Sequence, residues 1–380
     1  MRVYLDNAAT TPLDKEVFDT MAPFMLEHFG NPSSIHAHGR QVRAAIEGAR
    51  KTVATLLNAS PSEIFFTSGG TEADNAAITC TARTLGIKHA ITDRMEHHAV
   101  LHTMENLEKH DGVKLSYLKH DERGTLDLNH LEELLANNPR SIVSVMHANN
   151  EIGNLNDIQT IGEICKKYDA VFHSDTVQTM GHYKHDLQTL PVNFLVGSSH
   201  KFHGPKGVGF LYVDANVKVQ PLIHGGSQER NMRGGTENVY GIIGLAKALE
   251  IAYRDMAEHQ TYIQGLKDRM ITKLKEQIED VRFNGNSEFA DKSLYTVLNV
   301  SLPPSEMNEM LLFNLDINKI SASGGSACTS GTNVGSHVLQ ALGVDPNRGA
   351  VRFSFSKYNT PEEIDYAAAT LAKMYQNIHA

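Results

Sequence analysis

Short apolar runs recur in the first part of the chain, at residues 64–67, 88–93, 114–118, 141–147, 170–175, 192–197 and 207–213. Between most of them, apolar residues return every three or four positions, as at Ile158, Ile161, Cys165 and Tyr168. The short runs read as strands and the wider spacing as helices with one buried stripe. Strands alternating with helices predict an α/β fold, a mainly parallel sheet sandwiched by helices. The pattern from Val239 to Ile278 is helical throughout. Beyond it, Val297-Leu298-Asn299-Val300-Ser301 and Val351-Arg352-Phe353-Ser354-Phe355 alternate like half-buried strands and predict a smaller α+β region. No repeat or low-complexity linker interrupts this order.

At 380 residues the chain is long enough for a large core divided into two or three domains. Lys plus Arg number 35 against 44 Asp plus Glu, a net charge of −9, so neither a general nucleic-acid partner nor a membrane partner is expected. No stretch approaches the roughly 20 apolar residues of a membrane span, and Met1-Arg2-Val3-Tyr4-Leu5-Asp6 has no apolar signal region, so a cytoplasmic location is expected. Three cysteines, few and odd in number, argue for a reducing compartment rather than a disulfide framework. The 20 histidines invite a metal reading, but with no HExxH or CxxC spacing a bound metal is not implied.

The chemistry concentrates in a few segments. Ser198-Ser199-His200-Lys201-Phe202-His203-Gly204 sets one lysine among small residues after an apolar run, where a cofactor can approach its amine; a solvated loop lysine is the alternative. In Thr67-Ser68-Gly69-Gly70-Thr71-Glu72, a strand breaks at glycines and a helix follows through Arg83, so bared amides and the helix N-terminus favour an anion. Thr71 would otherwise serve as an ordinary N-cap. Asp175 ends an apolar strand where open α/β sheets place their ligands, and a buried carboxylate there needs a cation or must cap the next helix. His97, after the 88–93 strand, can lay its ring on a flat cofactor or serve as a structural residue. A lysine, an upstream aspartate, a phosphate cradle and an aromatic ring are together the parts of a pyridoxal 5'-phosphate site. Cys80 and Cys165 lie on apolar helix faces and read as core. Cys328 sits in Ser326-Ala327-Cys328-Thr329-Ser330, within a segment of small polar residues, and reads as a surface thiol or a sulfur carrier. Arg352 lies in an otherwise apolar strand, so its charge needs a carboxylate, from a substrate or from within the protein.

With these segments in place, the sequence resembles the cysteine desulfurases of the class V aminotransferase superfamily, the NifS/IscS-like group with the SACTS loop. The resemblance is carried by Tyr4-Leu5-Asp6-Asn7-Ala8-Ala9-Thr10-Thr11-Pro12, Phe29-Gly30-Asn31-Pro32, Met146-His147-Ala148-Asn149-Asn150-Glu151, the lysine segment, His224-Gly225-Gly226-Ser227-Gln228-Glu229-Arg230 and the Cys328 segment. It implies the fold of type I pyridoxal-phosphate transferases, with a large cofactor-binding domain over 12–256 and a small domain from 1–11 and 257–380. It also implies a Schiff base at Lys201, a ring-nitrogen partner in Asp175, a stacked His97, Gln178 at the phenolic oxygen and Asn150 at the substrate edge. Gly70, Thr71, Ser198 and His200 would hold the phosphate, with Thr236 reaching it from the other subunit of a homodimer, and Arg352 would take the substrate carboxylate.

By the same resemblance, L-cysteine is the substrate. Lys201, its pKa brought toward roughly 7 to 8, takes the Cα proton, and the Cys328 thiolate attacks the substrate sulfur to leave alanine and a persulfide, with His97 managing protons nearby. A sulfur-acceptor or iron–sulfur scaffold protein would receive the sulfur, and Cys328 is left open as a transient cluster ligand. The chain ends at Ala380 after the helix start at Asn359-Thr360-Pro361, whereas some members carry a longer tail that docks such a scaffold; desulfuration is therefore implied more directly than that transfer. Ser227 and Gln228 stand where relatives often have glycine or histidine. A selenocysteine lyase and a plain aminotransferase would share the cofactor residues but have no use for Cys328, and a non-catalytic scaffold would not need Lys201 or Asp175.

Overall fold

The computed structural model describes residues 1–324 and 335–376. Along the chain run β1 (Val3–Tyr4), α1 (Lys15–Leu26), α2 (Ala37–Leu56), β2 (Ile64–Thr67), α3 (Gly70–Asn75), α4 (Thr81–Leu85), β3 (His89–Thr92), α5 (His98–Asp111), β4 (Lys114–Tyr117), α6 (Leu128–Ala136), β5 (Ser141–Ser144), α7 (Ile158–Lys167), β6 (Val171–Asp175), β7 (Phe194–Ser198) and β8 (Gly209–Val213). Then follow α8 (Val239–Arg254), α9 (Met256–Gln277), β9 (Arg282–Phe283), β10 (Val297–Pro304), α10 (Leu311–Ile317), β11 (Ile320–Ser321), α11 (His337–Ala341), β12 (Arg348–Ser354) and α12 (Pro361–Gln376).

Strands β2 to β8 form one seven-stranded sheet in the order β2-β8-β7-β6-β5-β3-β4. All pairings are parallel except those of β8, which runs against both β2 and β7. The mainly parallel α/β sheet expected from the sequence is thus present, and each of its seven strands lies within three residues of its apolar run. Strands β3, β5, β6, β7 and β8 are buried along their whole length, because helices cover both faces, and this is why they read as unbroken apolar runs. One cover contains α1, α2, α7 and α8, through residues such as Val17, Val53, Ile161 and Leu245; the other contains α3, α4 and α5, through Ala73, Ala82 and Val100.

A second, antiparallel sheet has the order β12-β10-β9, and β1 pairs in parallel with β11. Val3 and Leu5 share an apolar cluster with α9, β10, β12 and α12, so the first residues pack against the last hundred. The helical stretch 239–278 is broken at Asp255, between α8 and α9. The helix expected through Arg83 does continue from α3 into α4, but by way of a π-helical turn at Ala76–Cys80. Cys80 and Cys165 are buried. Among the described residues, no helix is long and apolar enough to cross a membrane.

Candidate functional site

The C-terminal ends of β6 and β7 and the loops that leave β2, β3 and β5 converge on a cavity of about 250 Å³. This is where an open parallel sheet collects ligands, since chain segments diverge there from a common edge. Lys201, Asp175, His97, Gly70, Thr71 and Ser198 line the cavity, and so do His200, Gln178, Asn150 and Arg352. Thr236 does not; it is exposed, beside Arg233 and Glu237, near a separate hollow against Thr67 and Ser68. Cys328 lies outside the described residues.

Lys201 ends the 3-10 turn Ser199–Lys201 that leaves β7. Its Nζ donates to the carbonyls of Ala8 (2.5 Å) and Ala9 (2.9 Å), which the N-terminal segment brings over the cavity. Gln178 Nε2 donates to the same Ala8 carbonyl at 3.1 Å, and His200 Nδ1 is 3.1 Å from Thr10 Oγ1. Burial, helped by the Lys201 charge, pushes His200 down to about 4.

The cap of α3 is Gly69, not Thr71. Gly69 has φ 158 and ψ −177, a conformation essentially confined to glycine, and it lets the chain turn sharply from β2 into the helix. A Cβ at Gly70 would stand 2.8 Å from Val177 Cγ2, so the wall at this point is bare backbone. Bare amides at a helix start are suited to a phosphate. Thr71, freed from capping, is left with an exposed side chain at the rim.

Asp175 is 6% exposed. Its Oδ1 accepts the Val177 N–H at 2.8 Å, so it does cap the turn that follows, but it also lines the cavity. Burial raises its carboxyl to about 6, while the Val177 N–H and the Lys201 ammonium act in the opposite direction. A carboxylate so placed fits a protonated ring nitrogen, which supplies the missing cation.

His97 combines both readings of its segment. Its Nδ1 accepts the Ala99 N–H at 3.1 Å and caps α5, while the ring also lines the cavity. Burial, then Lys201, lowers it to about 4. Burial favours the neutral ring, and with Nδ1 accepting the Ala99 N–H the proton of that neutral ring lies on Nε2.

Arg352 is 1% exposed. Its Nη2 donates to Asp6 Oδ1 at 2.8 Å and its Nη1 to the Asn150 carbonyl at 2.9 Å, so an internal carboxylate takes part of the fork. Its Nε is buried and has no hydrogen-bond partner among the described residues. An unpaired guanidinium N–H beside a cavity is suited to a carboxylate ligand.

An internal carboxylate for Arg352 was one expectation, but its identity as Asp6, and the Ala8 and Ala9 carbonyls on Lys201, were not legible, because these contacts join residues about 190 to 350 positions apart. Asp74, a further lining residue, carries a readable signal: it is four positions after Gly70, on the same face of α3.

The fold and the cavity define a pyridoxal-phosphate-dependent enzyme. The sequence profile of the family described as aminotransferase class-V matches residues 3–367, and the chain belongs to that family. It is 45% identical over 380 residues to the cysteine desulfurase IscS of Dictyoglomus turgidum, covering 99% of this chain and 95% of that one. Among solved structures, one described as a NifS-like protein has a TM-score of 0.90 at 38% identity, over 98% of this chain and 99% of the other. Another, described as SspA in complex with cysteine, has a TM-score of 0.82 at 32% identity, over 95% and 100%.

Proposed function

We propose that this protein is a cysteine desulfurase that removes sulfur from L-cysteine through Cys328 and passes it on for iron–sulfur cluster assembly or other thio-cofactors. The observation that carries this reading is the convergence of Lys201, Asp175, His97 and the Gly70 cradle on one cavity, with Arg352 on its wall. Near-full-length identity to proteins named cysteine desulfurase supports it.

Pyridoxal 5'-phosphate, bound at Lys201, supplies the electron sink that makes the substrate Cα–H acidic. The protein does the rest. Arg352 orients the substrate carboxylate, and Asn150, whose carbonyl braces Arg352, flanks it. Lys201 Nζ, which would hold the cofactor at rest, would take the substrate Cα proton once its amine is free. The Cys328 thiolate attacks the substrate sulfur and forms an S–S bond; the C–S bond breaks with its electron pair going to Cβ, which takes up the proton given up by the substrate thiol, the Cα proton held by Lys201 returns, and alanine leaves with the sulfur on Cys328 as a persulfide. Asp175 keeps a negative charge opposite the ring nitrogen, and His97 packs on the ring. Gly70, Thr71, Ser198 and His200 hold the phosphate.

The described residues on either side of the Cys328 segment favour this role. The Ser323 and Arg352 backbones bond to each other, Ser336 Oγ donates to Glu151 Oε2 at 2.5 Å, and His337 Nε2 is 2.9 Å from the Glu96 carbonyl. Both flanks therefore abut residues that neighbour the cavity.

The working unit is a homodimer in this reading, with Thr236 of each chain completing the other's phosphate site. Support comes from large apolar side chains left in solvent, among them Leu26 (80% exposed), Phe29 (75%) and Ile35 (88%). Such a surface is costly unless covered. The cytoplasm suits the low cysteine count. The test is incubation with L-cysteine, assaying alanine and sulfide, with mass spectrometry of Cys328. Wild type should gain one sulfur atom there, and Cys328→Ala should keep its cofactor while losing nearly all alanine formation. Retained alanine formation would overturn the persulfide route and favour a selenocysteine lyase.

A further inference from the structure

Beneath Asp175 lies a second carboxyl that the chemistry above does not use. Asp74 is 1% exposed and lines the same cavity as Gly70, Thr71 and Asp175. It sits on α3, four positions after Gly70, and so faces the same cavity. His173 is on β6 two residues before Asp175, hence on the same face of the strand. Asp74 Oδ1 and His173 Nε2 are 3.2 Å apart and fully buried, and among the described residues neither atom has a hydrogen-bond partner while Asp74 is taken as a bare carboxylate. The far side of the ring is fixed: His173 Nδ1 is 2.7 Å from Ser144 Oγ.

We propose that Asp74 and His173 are a positioning pair that holds one shared proton beside Asp175, so that Asp175 alone faces the ring nitrogen of the cofactor as an anion. The inference rests on the pyridoxal-phosphate reading of the cavity. Two buried polar atoms in contact require a proton between them, since two bare lone pairs would repel and each would stay unsatisfied. The groups facing Asp74 decide where that proton resides. Asp175 and Glu96 are both carboxyls, and burial first, then their charges, raise Asp74 well above the usual carboxylate range. Glu96, which accepts the Met146 N–H at 2.6 Å and also faces Asp93, is raised in the same way. Burial pushes His173 down to about 3. The remaining nearby charges point elsewhere: Lys201 acts on Asp175, and Glu72 on the same helix is paired with Arg233. The neutral arrangement is therefore an Asp74 O–H donating to His173 Nε2, with His173 Nδ1–H donating to Ser144 Oγ.

In this role the pair does two things beside Asp175: it adds no second negative charge, which would raise the Asp175 proton affinity, and it satisfies His173 Nε2, so that the ring stays fixed on the strand that carries Asp175 and shifts when the donor is removed. A purely structural pair would leave the cofactor's electronic state unchanged on substitution.

The test uses Asp74→Leu, which removes the donor, and Asp74→Asn, whose amide N–H still donates to Nε2. In cofactor-loaded protein, Asp74→Leu should move the pH midpoint of the cofactor's visible absorbance by about one unit. It should also lower kcat for L-cysteine about tenfold with little change in KM, and Asp74→Asn should restore both. Infrared difference spectra of the cofactor-free protein at neutral pH should show a protonated carboxyl that is lost in Asp74→Asn. Nitrogen NMR should find His173 neutral with its proton on Nδ1. The proposal is overturned if Asp74→Asn is displaced as far as Asp74→Leu, if neither moves the midpoint, or if no protonated carboxyl belongs to Asp74. Should Asp74→Leu not fold, the infrared and NMR results on Asp74→Asn decide alone. Failure to take up pyridoxal phosphate would instead sink the cofactor reading, and it would leave the infrared result standing.

Discussion

Asp175 is a group whose service to the cofactor should cost stability, and Asp175→Asn measures that cost. In the cofactor-free protein its carboxyl is 6% exposed and rises from 3.8 to about 6, chiefly through burial. A shift of that size corresponds to about 3 kcal/mol between the charged and neutral forms. Because the folded value is raised, the folded protein holds a proton that the unfolded chain has already released between about pH 4 and pH 6. Stability therefore falls across that window and stays low above it. Asparagine has nearly the same shape and still accepts the Val177 N–H, but without charge, a loss of about 1 kcal/mol. Cofactor-free Asp175→Asn should thus be about 2 kcal/mol more stable than wild type at pH 8, with a midpoint a few degrees higher, and the gap should vanish near pH 4. The assay is thermal or urea unfolding of both proteins, stripped of cofactor, from pH 4 to pH 8. With cofactor the order should reverse, because only the carboxylate meets a protonated ring nitrogen. A wild type as stable as the variant at pH 8 without cofactor, or a gap that does not depend on pH, would refute the reasoning.

Three further variants follow, two on the walls of the cavity and one on the exposed apolar surface. Arg352→Lys should raise KM for L-cysteine tenfold or more, from the loss of a charged forked contact of about 2 kcal/mol, with cofactor content unchanged; an unaltered KM would mean that Arg352 serves only Asp6 and the fold. Gly70→Ala should weaken pyridoxal-phosphate retention about tenfold, because its Cβ would meet Val177 Cγ2 at 2.8 Å and must push the first turn of α3 off the phosphate position. Full retention through gel filtration would place the phosphate elsewhere. Wild type should sediment at twice the chain mass and Leu26→Glu/Ile35→Glu as a monomer with impaired cofactor binding, whereas a monomeric wild type would end the role given to Thr236.

The strands were legible because a doubly covered sheet demands largely apolar runs, and 192–197 and 207–213 carry them. The direction of β8 was not, since its burial is the same whether it runs with or against β7. Lys201, Asp175 and His97 were readable as strand-end residues with unusual neighbours. Of the two readings of Thr71, phosphate ligand or N-cap, the cap falls away because the geometry requires a residue at φ 158, which Gly69 provides. The break at Asp255 and the π turn at Ala76–Cys80 leave the helical periodicity nearly intact and so escape a pattern reading. Arg352 was recognised as needing a carboxylate, but choosing Asp6 required knowing that β1 lies beside β11 and that Leu5 meets Ser354.

That last contact has a consequence for how the enzyme comes into being. The Ala8 and Ala9 carbonyls over Lys201 are held by a segment whose own supports are made last: Ser354 Oγ accepts the Ala8 N–H at 2.8 Å, and Asn7 Nδ2 donates to the Ser354 carbonyl at 2.9 Å. The first residues to leave the ribosome must therefore wait for almost the whole chain before they have a place to bind. The large sheet can form on a nascent chain, but its mouth stays unroofed until β12 is released, so a translating ribosome should carry no chain competent to hold substrate, and truncation near the C-terminus should disable the site while leaving the large sheet folded.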